Sequence, residues 1–237
     1  MRSQPVAGPG SRAAPADADG ATTVSNGAQG HGQLGSRLRQ ARQAAHLGVR
    51  ELARQLELSA SLISQIELGR VVPSVSTLYA LTTALGVSMD SLFGEGDGAA
   101  AGRPWSSGQA PRREREGPAR EQTYIQRRDS RRSIELEQGV RWELLTPSPE
   151  PGAEFLEVTY PVGGSSSPTN HAIRHNGRDY CLVLDGLLSV QIGFEEFLLS
   201  AGDSLAFDGT IPHRFWNDGT EPVRAVWFVL DRGISRN

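Results

Sequence analysis

The stretch LELSASLISQIELGRVVPS, Leu56 to Ser74, decides how the first half of the chain folds. Ser59 stands where a helix N-cap is wanted, because its side-chain oxygen can accept from an orphaned first-turn N–H. Leu62, Ile63 and Ile66 follow at helical spacing, and Gly69 is placed to end that helix. Pro73 and Ser74 open the next one, with Val75, Leu78, Leu81 and Leu85 inward. Upstream, residues 49–56 predict a helix that faces Leu52, Ala53 and Leu56 inward. Residues 34–45 predict another, with Leu38, Ala41 and Ala45 on one face and Arg37, Arg39 and Arg42 largely on others. Val87, Leu92 and Phe93 close the unit. Two helices joined by a tight turn, the second capped by Ser and presenting short polar side chains, suit a reader of the DNA major groove.

The 237 residues hold 24 basic and 27 acidic side chains, a formal charge of −3, which hides a split. Residues 34–94 carry six Arg against four acids and residues 95–133 nine against six, whereas residues 134–237 carry seven against fifteen. A basic front joined to an acidic back points to nucleic acid at one end and a different task at the other. Every basic residue is Arg. Schiff-base chemistry and Lys-dependent phosphate loops are therefore excluded. A lone Cys181 forbids an intrachain disulfide, the first 30 residues lack a signal-peptide core, and no apolar run nears the roughly 20 residues that span a bilayer. A cytoplasmic protein without a membrane partner is expected.

Residues 1–33, rich in Ala, Gly, Ser, Pro and Asp, are expected to form a disordered tail. Residues 34–94 form the helical domain, and residues 95–122, with five Gly and three Pro, a flexible linker. From residue 123 to 237 short apolar runs alternate with Gly, Pro, Asn and Asp, an all-β pattern. Strands are expected at 141–145, 154–160, 179–184, 187–192, 195–199, 204–207, 213–216 and 224–230. Short strands at this spacing suit a jelly-roll barrel. The fold class is thus a two-domain chain, α followed by all-β.

The ELA of residues 51–53, the ISQIE of 63–67 with Gly69-Arg70 after it, Pro73 and the ALGVS of 84–88 together resemble the helix-turn-helix domain of the XRE family, to which phage repressors belong. The resemblance covers residues 34–93 and implies a lambda-repressor-like domain of five helices. It places Ser59, Ser61, Ser64 and Gln65 on the DNA-facing side of the recognition helix, and Arg50 and Arg70 beside the phosphate backbone. It also implies a structural salt bridge between Arg42 and Glu67. Gly48 departs from the Ser or Thr usual there, at a cost of only a few tenths of a kcal/mol, about what a Gly cap loses.

HNGRDYCLVLDG (175–186) and LLSAGDSLAFDGTIPHRFWN (198–217) resemble the two consecutive motifs of the small cupin domain. Gly164, His175, Asp179 and Gly186 match the first motif, and Gly202, His213 and Asn217 the second. Ile173 stands where the first His is usual, Asp179 replaces Glu, and Asp208 and Thr210 replace Pro and Gly. Two imidazoles and a carboxylate with open positions make the facial triad of non-haem iron sites. His175, Asp179 and His213 are accordingly the candidate ligands of a divalent metal, Fe, Zn, Mn or Ni; otherwise they bond one another or a small ligand. His171 lies two residues, about 6.6 Å, from the missing ligand position and cannot replace it without a bulge. Strand alternation puts Phe215 and Asn217 on the face of His213 and turns Trp216 the other way, so the candidate effector pocket is His175, Asp179, His213, Phe215 and Asn217. Cys181 faces inward as a small core filler.

The XRE-plus-cupin combination resembles bacterial regulators. It implies a sequence-specific transcriptional regulator whose partners are a double-stranded operator, a small-molecule effector and a second copy of itself, with no catalytic residue. Two reading heads on a dimer must sit about 34 Å apart to meet successive major grooves. The alternative is a mononuclear non-haem iron oxygenase resembling an epoxidase that acts on a phosphonate and has the same domain order. That enzyme type draws a Lys from its helical domain, and this chain has none. A third reading is a regulator whose barrel only dimerises.

Overall fold

The computed structural model describes residues 25–93, 123–148, 150, 152–168 and 171–230. Four α-helices come first: α1 (Ser25–Ala44), α2 (Val49–Gln55), α3 (Ala60–Glu67) and α4 (Val75–Leu85). The caps explain the boundaries. Leu62 N–H donates to Ser59 Oγ at 3.0 Å and Thr77 N–H to Ser74 Oγ at 3.2 Å, so two first-turn donors are satisfied by the residues expected to do so. Gly48 caps α2 with no side-chain bond. Gly69 follows α3 at φ 67° and Gly86 ends α4 at φ 65°, both in the left-handed region that favours glycine. Leu38, Leu52, Ile63, Leu78 and Leu92 are fully buried among these helices.

Two expectations change here. The first helix begins at Ser25 rather than Leu34, so residues 25–33, read as tail, are helical. The composition SNGAQGHGQ has poor helix propensity, but extending a helix already anchored by buried Leu34 and Leu38 needs no new nucleus. The expected fifth helix is a short 3-10 segment, Met89–Phe93, which buries Met89, Leu92 and Phe93. Residues 1–24 of the expected tail and the whole expected linker, 95–122, lie outside the described residues.

Nine strands follow among the described residues: β1 (Ser133–Glu135), β2 (Arg141–Leu144), β3 (Ala153–Tyr160), β4 (Arg178–Asp185), β5 (Leu187–Ile192), β6 (Glu195–Ser200), β7 (Ser204–Asp208), β8 (His213–Trp216) and β9 (Val223–Leu230). Antiparallel pairing orders one sheet β1-β2-β3-β9-β4-β7 and the other β6-β5-β8. Eight strands match expectation within a residue or so. The ninth, β1, has one apolar residue, Ile134, too little for a period-2 signal. Alternation fills the space between the sheets: β9 buries Val223, Ala225, Trp227 and Val229, β4 buries Asp179, Cys181 and Val183, and β8 buries His213 and Phe215.

The helical unit rests on the barrel. Ser76 N–H, in the first turn of α4 where no intrahelical acceptor exists, donates to Ser166 O at 3.1 Å. Glu137 N–H donates back across the same junction to Pro73 O at 3.0 Å. Among the described residues no helix is long and apolar enough to cross a membrane.

Candidate DNA-reading face and barrel pocket

On α3 the buried side is Ile63 and Ile66, which leaves Ser61 and Gln65 exposed and Ser64 half-buried on the other. Ser59, Arg50 and Arg70 are exposed around it. Gln65 Nε2 donates to Ser61 Oγ at 3.3 Å, so the amide lies along the helix rather than inward. Arg42 and Glu67 meet as the resemblance implied, with Arg42 Nε 2.6 Å from Glu67 Oε1. That bond holds the Arg42 guanidinium above its ordinary pKa.

The barrel site is built by three segments. Ile173 and His213 exchange backbone hydrogen bonds at 2.8 and 3.0 Å, which draws the chain before β4 against β8. His175 N–H donates to Gly209 O at 3.0 Å, and a Cβ on Gly209 would lie 2.6 Å from His175 Cε1. Gly209 therefore lets the imidazole sit where it does. Asp179 projects inward from β4 and brings Oδ2 to 3.2 Å from His175 Nε2 and 3.7 Å from His213 Nε2. One donor atom from each residue lies within 4.8 Å of the others. The shorter Asp thus reaches where the family uses Glu.

The protonation of His213 suits a cation, whereas at His175 a metal has to compete with a more tightly held proton. His213 Nδ1 lies 2.8 Å from Ile211 O, which fixes that nitrogen as the donor and leaves Nε2 with its lone pair toward Asp179. Burial is the largest influence on His213 and pushes it down to about 4, so the ring is neutral near pH 7. For His175 burial also works against the charge, but the Asp179 carboxylate and the Asn176 carbonyl outweigh it and the ring is raised. Asp179 Oδ1 is buried without a hydrogen-bond partner. A buried orphan oxygen beside a bare imidazole nitrogen is costly unless something positive sits there. The residues present fit a small divalent ion.

The triad opens into a cavity of about 30 Å³, walled by Trp142, Tyr160, Phe215 and Trp227 from the barrel and by Val75 and Tyr79 from α4. The half-buried Tyr79 ring stacks on His175 with centroids 4.7 Å apart and planes 12° from parallel. Its edge contact with Trp142 is 5.8 Å between centroids, and its hydroxyl donates to Glu154 Oε2 at 3.0 Å. Burial first, then the Glu154 and Asp179 carboxylates, hold the Tyr79 phenol well above its ordinary pKa, so it stays a donor.

Of the expected pocket residues, His175, Asp179, His213 and Phe215 come together and Asn217 does not. Asn217 is buried outside the cavity lining, where it donates to Tyr160 O and Glu221 O and accepts from Gly219 N–H. It shares the inward face of His213, but the turn after β8 spends all its polar atoms on backbone. His171 is exposed, and Ile173 is buried where a third imidazole is usual. Trp216 turns away under the Arg214 guanidinium, 4.6 Å from its ring, whereas Trp227 lines the cavity. Cys181 is buried, and burial pushes its thiol up to about 12, as befits a core filler. Tyr79, Trp142, Glu154 and Gly209 were not expected at the site. Gly209 N–H also donates to Gly177 O at 3.0 Å, a contact between loops that no local sequence pattern marks.

Two family descriptions match the chain: a helix-turn-helix domain over residues 33–92 and a cupin domain over residues 156–229. The chain is 31% identical over 194 residues to the HTH-type transcriptional regulator PuuR of Escherichia coli (strain K12), covering 81% of this chain and 91% of that one. An HTH_3 family transcriptional regulator from Vibrio cholerae has a similar structure, with a TM-score of 0.58 at 18% identity, covering 86% of this chain and 98% of that one. Hydroxypropylphosphonic acid epoxidase from S. wedmorenis aligns at a TM-score of 0.40 and 19% identity over 84% of this chain and 98% of its own, too distant in shape to bear on activity. With a helix-turn-helix domain, a cupin domain after it and PuuR matched along most of both lengths, the chain belongs to the HTH-type transcriptional regulators that carry a cupin domain.

Proposed function

We propose that the protein is a sequence-specific, dimeric transcriptional regulator whose barrel senses a small molecule. The observation that carries this is a single arrangement: Ser61 and Gln65 of α3 face solvent while α4 of the same domain forms a wall of the barrel cavity. One domain thus has a free reading face and a contact with the pocket. Ser59, Ser61, Ser64 and Gln65 would meet base edges or neighbouring phosphates, and Arg50 and Arg70 would meet phosphates. Dimerisation is supported by an apolar strip on the outer face of the six-stranded sheet. Phe155, Tyr180, Leu182, Phe228 and Leu230 are all exposed there on the adjoining strands β3, β9 and β4.

His175, Asp179 and His213 would hold a divalent ion, Fe, Zn, Mn or Ni, through His nitrogens and carboxylate oxygens. When bound, such an ion supplies an electrophilic anchor for an oxygen or nitrogen of the effector. The residues around it shape the pocket. The test is selection from random double-stranded DNA with the full chain, followed by titration of the enriched fragment. A selected palindrome bound tightly by a dimer supports the proposal; no enrichment over random sequence sinks it. The enzyme alternative is favoured by the triad alone, and oxygen-dependent turnover by iron-loaded protein would be its signature.

A further inference from the structure

The structure assigns Tyr79 the role of a tethered occupant of the barrel pocket: a flat ring bearing a hydroxyl donor takes the same place, and its binding and the docking of α4 exclude each other. This rests on the proposal that the barrel is an effector site and names both the ligand class and the route of its signal. The Tyr79 side chain already makes the contacts that a free phenol would make. It stacks on His175 at 4.7 Å, meets Trp142 edge-on and donates to Glu154 Oε2 at 3.0 Å. What remains beside it is a cavity of about 30 Å³, room for one or two waters and not for a ring. A ring-sized ligand can therefore reach the His175 and Trp142 faces only by displacing Tyr79.

Displacement is transmitted because Tyr79 lies one turn into α4. The first turn of that helix is held to the barrel by the Ser76 N–H bond to Ser166 O, with the Glu137 N–H bond to Pro73 O beside it. Loss of the phenol contacts loosens those two bonds and frees the DNA-binding domain from a fixed seat on the barrel. The ligand has different affinities for the docked and released states, which is what a shift in their populations requires.

The probe is p-cresol, the free form of the Tyr79 side chain, with full-length wild type, Tyr79→Ala and Tyr79→Phe. Calorimetry reads affinity, and hydrogen exchange at the Ser76 and Glu137 amides reads docking. Removing the tethered competitor makes Tyr79→Ala bind p-cresol about tenfold or more tightly than wild type, with Tyr79→Phe between them because it keeps the stack and loses the donor. Saturating wild type with p-cresol speeds exchange at both amides by about tenfold or more. Equal affinity in wild type and Tyr79→Ala overturns the inference, and so does wild-type binding that leaves both amides as protected as before. If Tyr79→Ala shows the tighter binding and faster exchange but binds the selected DNA fragment like wild type, the tethered occupant stands and effector sensing falls.

Discussion

Arg42 grips Glu67 with two nitrogens, Nε at 2.6 Å from Oε1 and Nη2 at 2.9 Å from Oε2, while its Nη1 donates to Leu47 O at 2.8 Å. Both side chains are nearly out of water, 11% and 8% exposed. The pair ties α1 to the last turn of α3. Glu67→Ala strands a buried guanidinium and is expected to cost about 3 kcal/mol, whereas Arg42→Met with Glu67→Leu recovers most of that loss. Chemical denaturation of the two variants checks this, and a Glu67→Ala protein as stable as wild type would contradict it.

The proposed α3 contacts with DNA would separate specificity from affinity. Ser64→Ala with Gln65→Ala is expected to abolish preference for the selected fragment while leaving salt-sensitive binding to random DNA. Arg50→Ala or Arg70→Ala should weaken both kinds of binding alike and reduce the slope of log affinity against log salt by about one each. Titrations at several salt concentrations distinguish the two patterns. Unchanged discrimination in the Ser64/Gln65 variant would remove α3 as the reader.

Gly209 makes a test of the metal site that leaves every ligand in place. A methyl there collides with the His175 ring, 2.6 Å from Cε1 and 2.8 Å from Nδ1. Gly209→Ala is expected to lower Ni(II) or Zn(II) affinity about 10- to 100-fold, the range seen when ligand orientation is disturbed, and His213→Ala to abolish stoichiometric binding. Elemental analysis and competition with a chelator measure both. Equal metal content in all three proteins would deny the site its metal.

Acid should unfold the metal-free protein through His213. Burial depresses its folded pKa to about 4 from an ordinary 6.5, so between those values the unfolded chain takes up a proton that the fold refuses. The His213 contribution is full above pH 6.5 and falls as pH drops toward 4, with a slope approaching about 1.4 kcal/mol per pH unit. His175 is raised instead, so its contribution is lost as pH rises above 6.5 and is constant within this window. Urea midpoints across the window, with His213→Gln as control, should show a shallower slope in the variant.

Asn217 is expected to matter for stability and not for ligands. Its side chain donates to Tyr160 O at 3.0 Å and Glu221 O at 2.9 Å and accepts from Gly219 at 3.0 Å, all inside the fold. Asn217→Ala leaves those backbone groups unpaired and should cost about 2 kcal/mol or more. Its metal content and p-cresol affinity should match wild type; a selective loss of either would return Asn217 to the pocket.

What was legible in the residues was local. The Ser59 cap, the Leu62-Ile63-Ile66 stripe and Gly69 lie within one helix, and β5 and β8 match expectation to the residue because alternation and turn glycines bound them. The start of α1 was misplaced because a weak segment can be carried by a well-packed neighbour, and β1 was missed because three residues hold too little pattern.

The sequence by itself determined which side chains share a face: period 3.6 put the polar residues of α3 together, and period 2 put His213 and Phe215 on one side of β8 with Asp179 inward on β4. Tertiary structure alone decided what meets those faces. Tyr79 and Glu154 lie 75 residues apart, and their hydrogen bond exists because α4 docks where its first-turn N–H finds a barrel carbonyl. Periodicity orients a side chain relative to its own element, but the partner is chosen by how two separately folded surfaces pack. The stacking of the Tyr79 phenol on His175 therefore depends on that packing and on no local pattern.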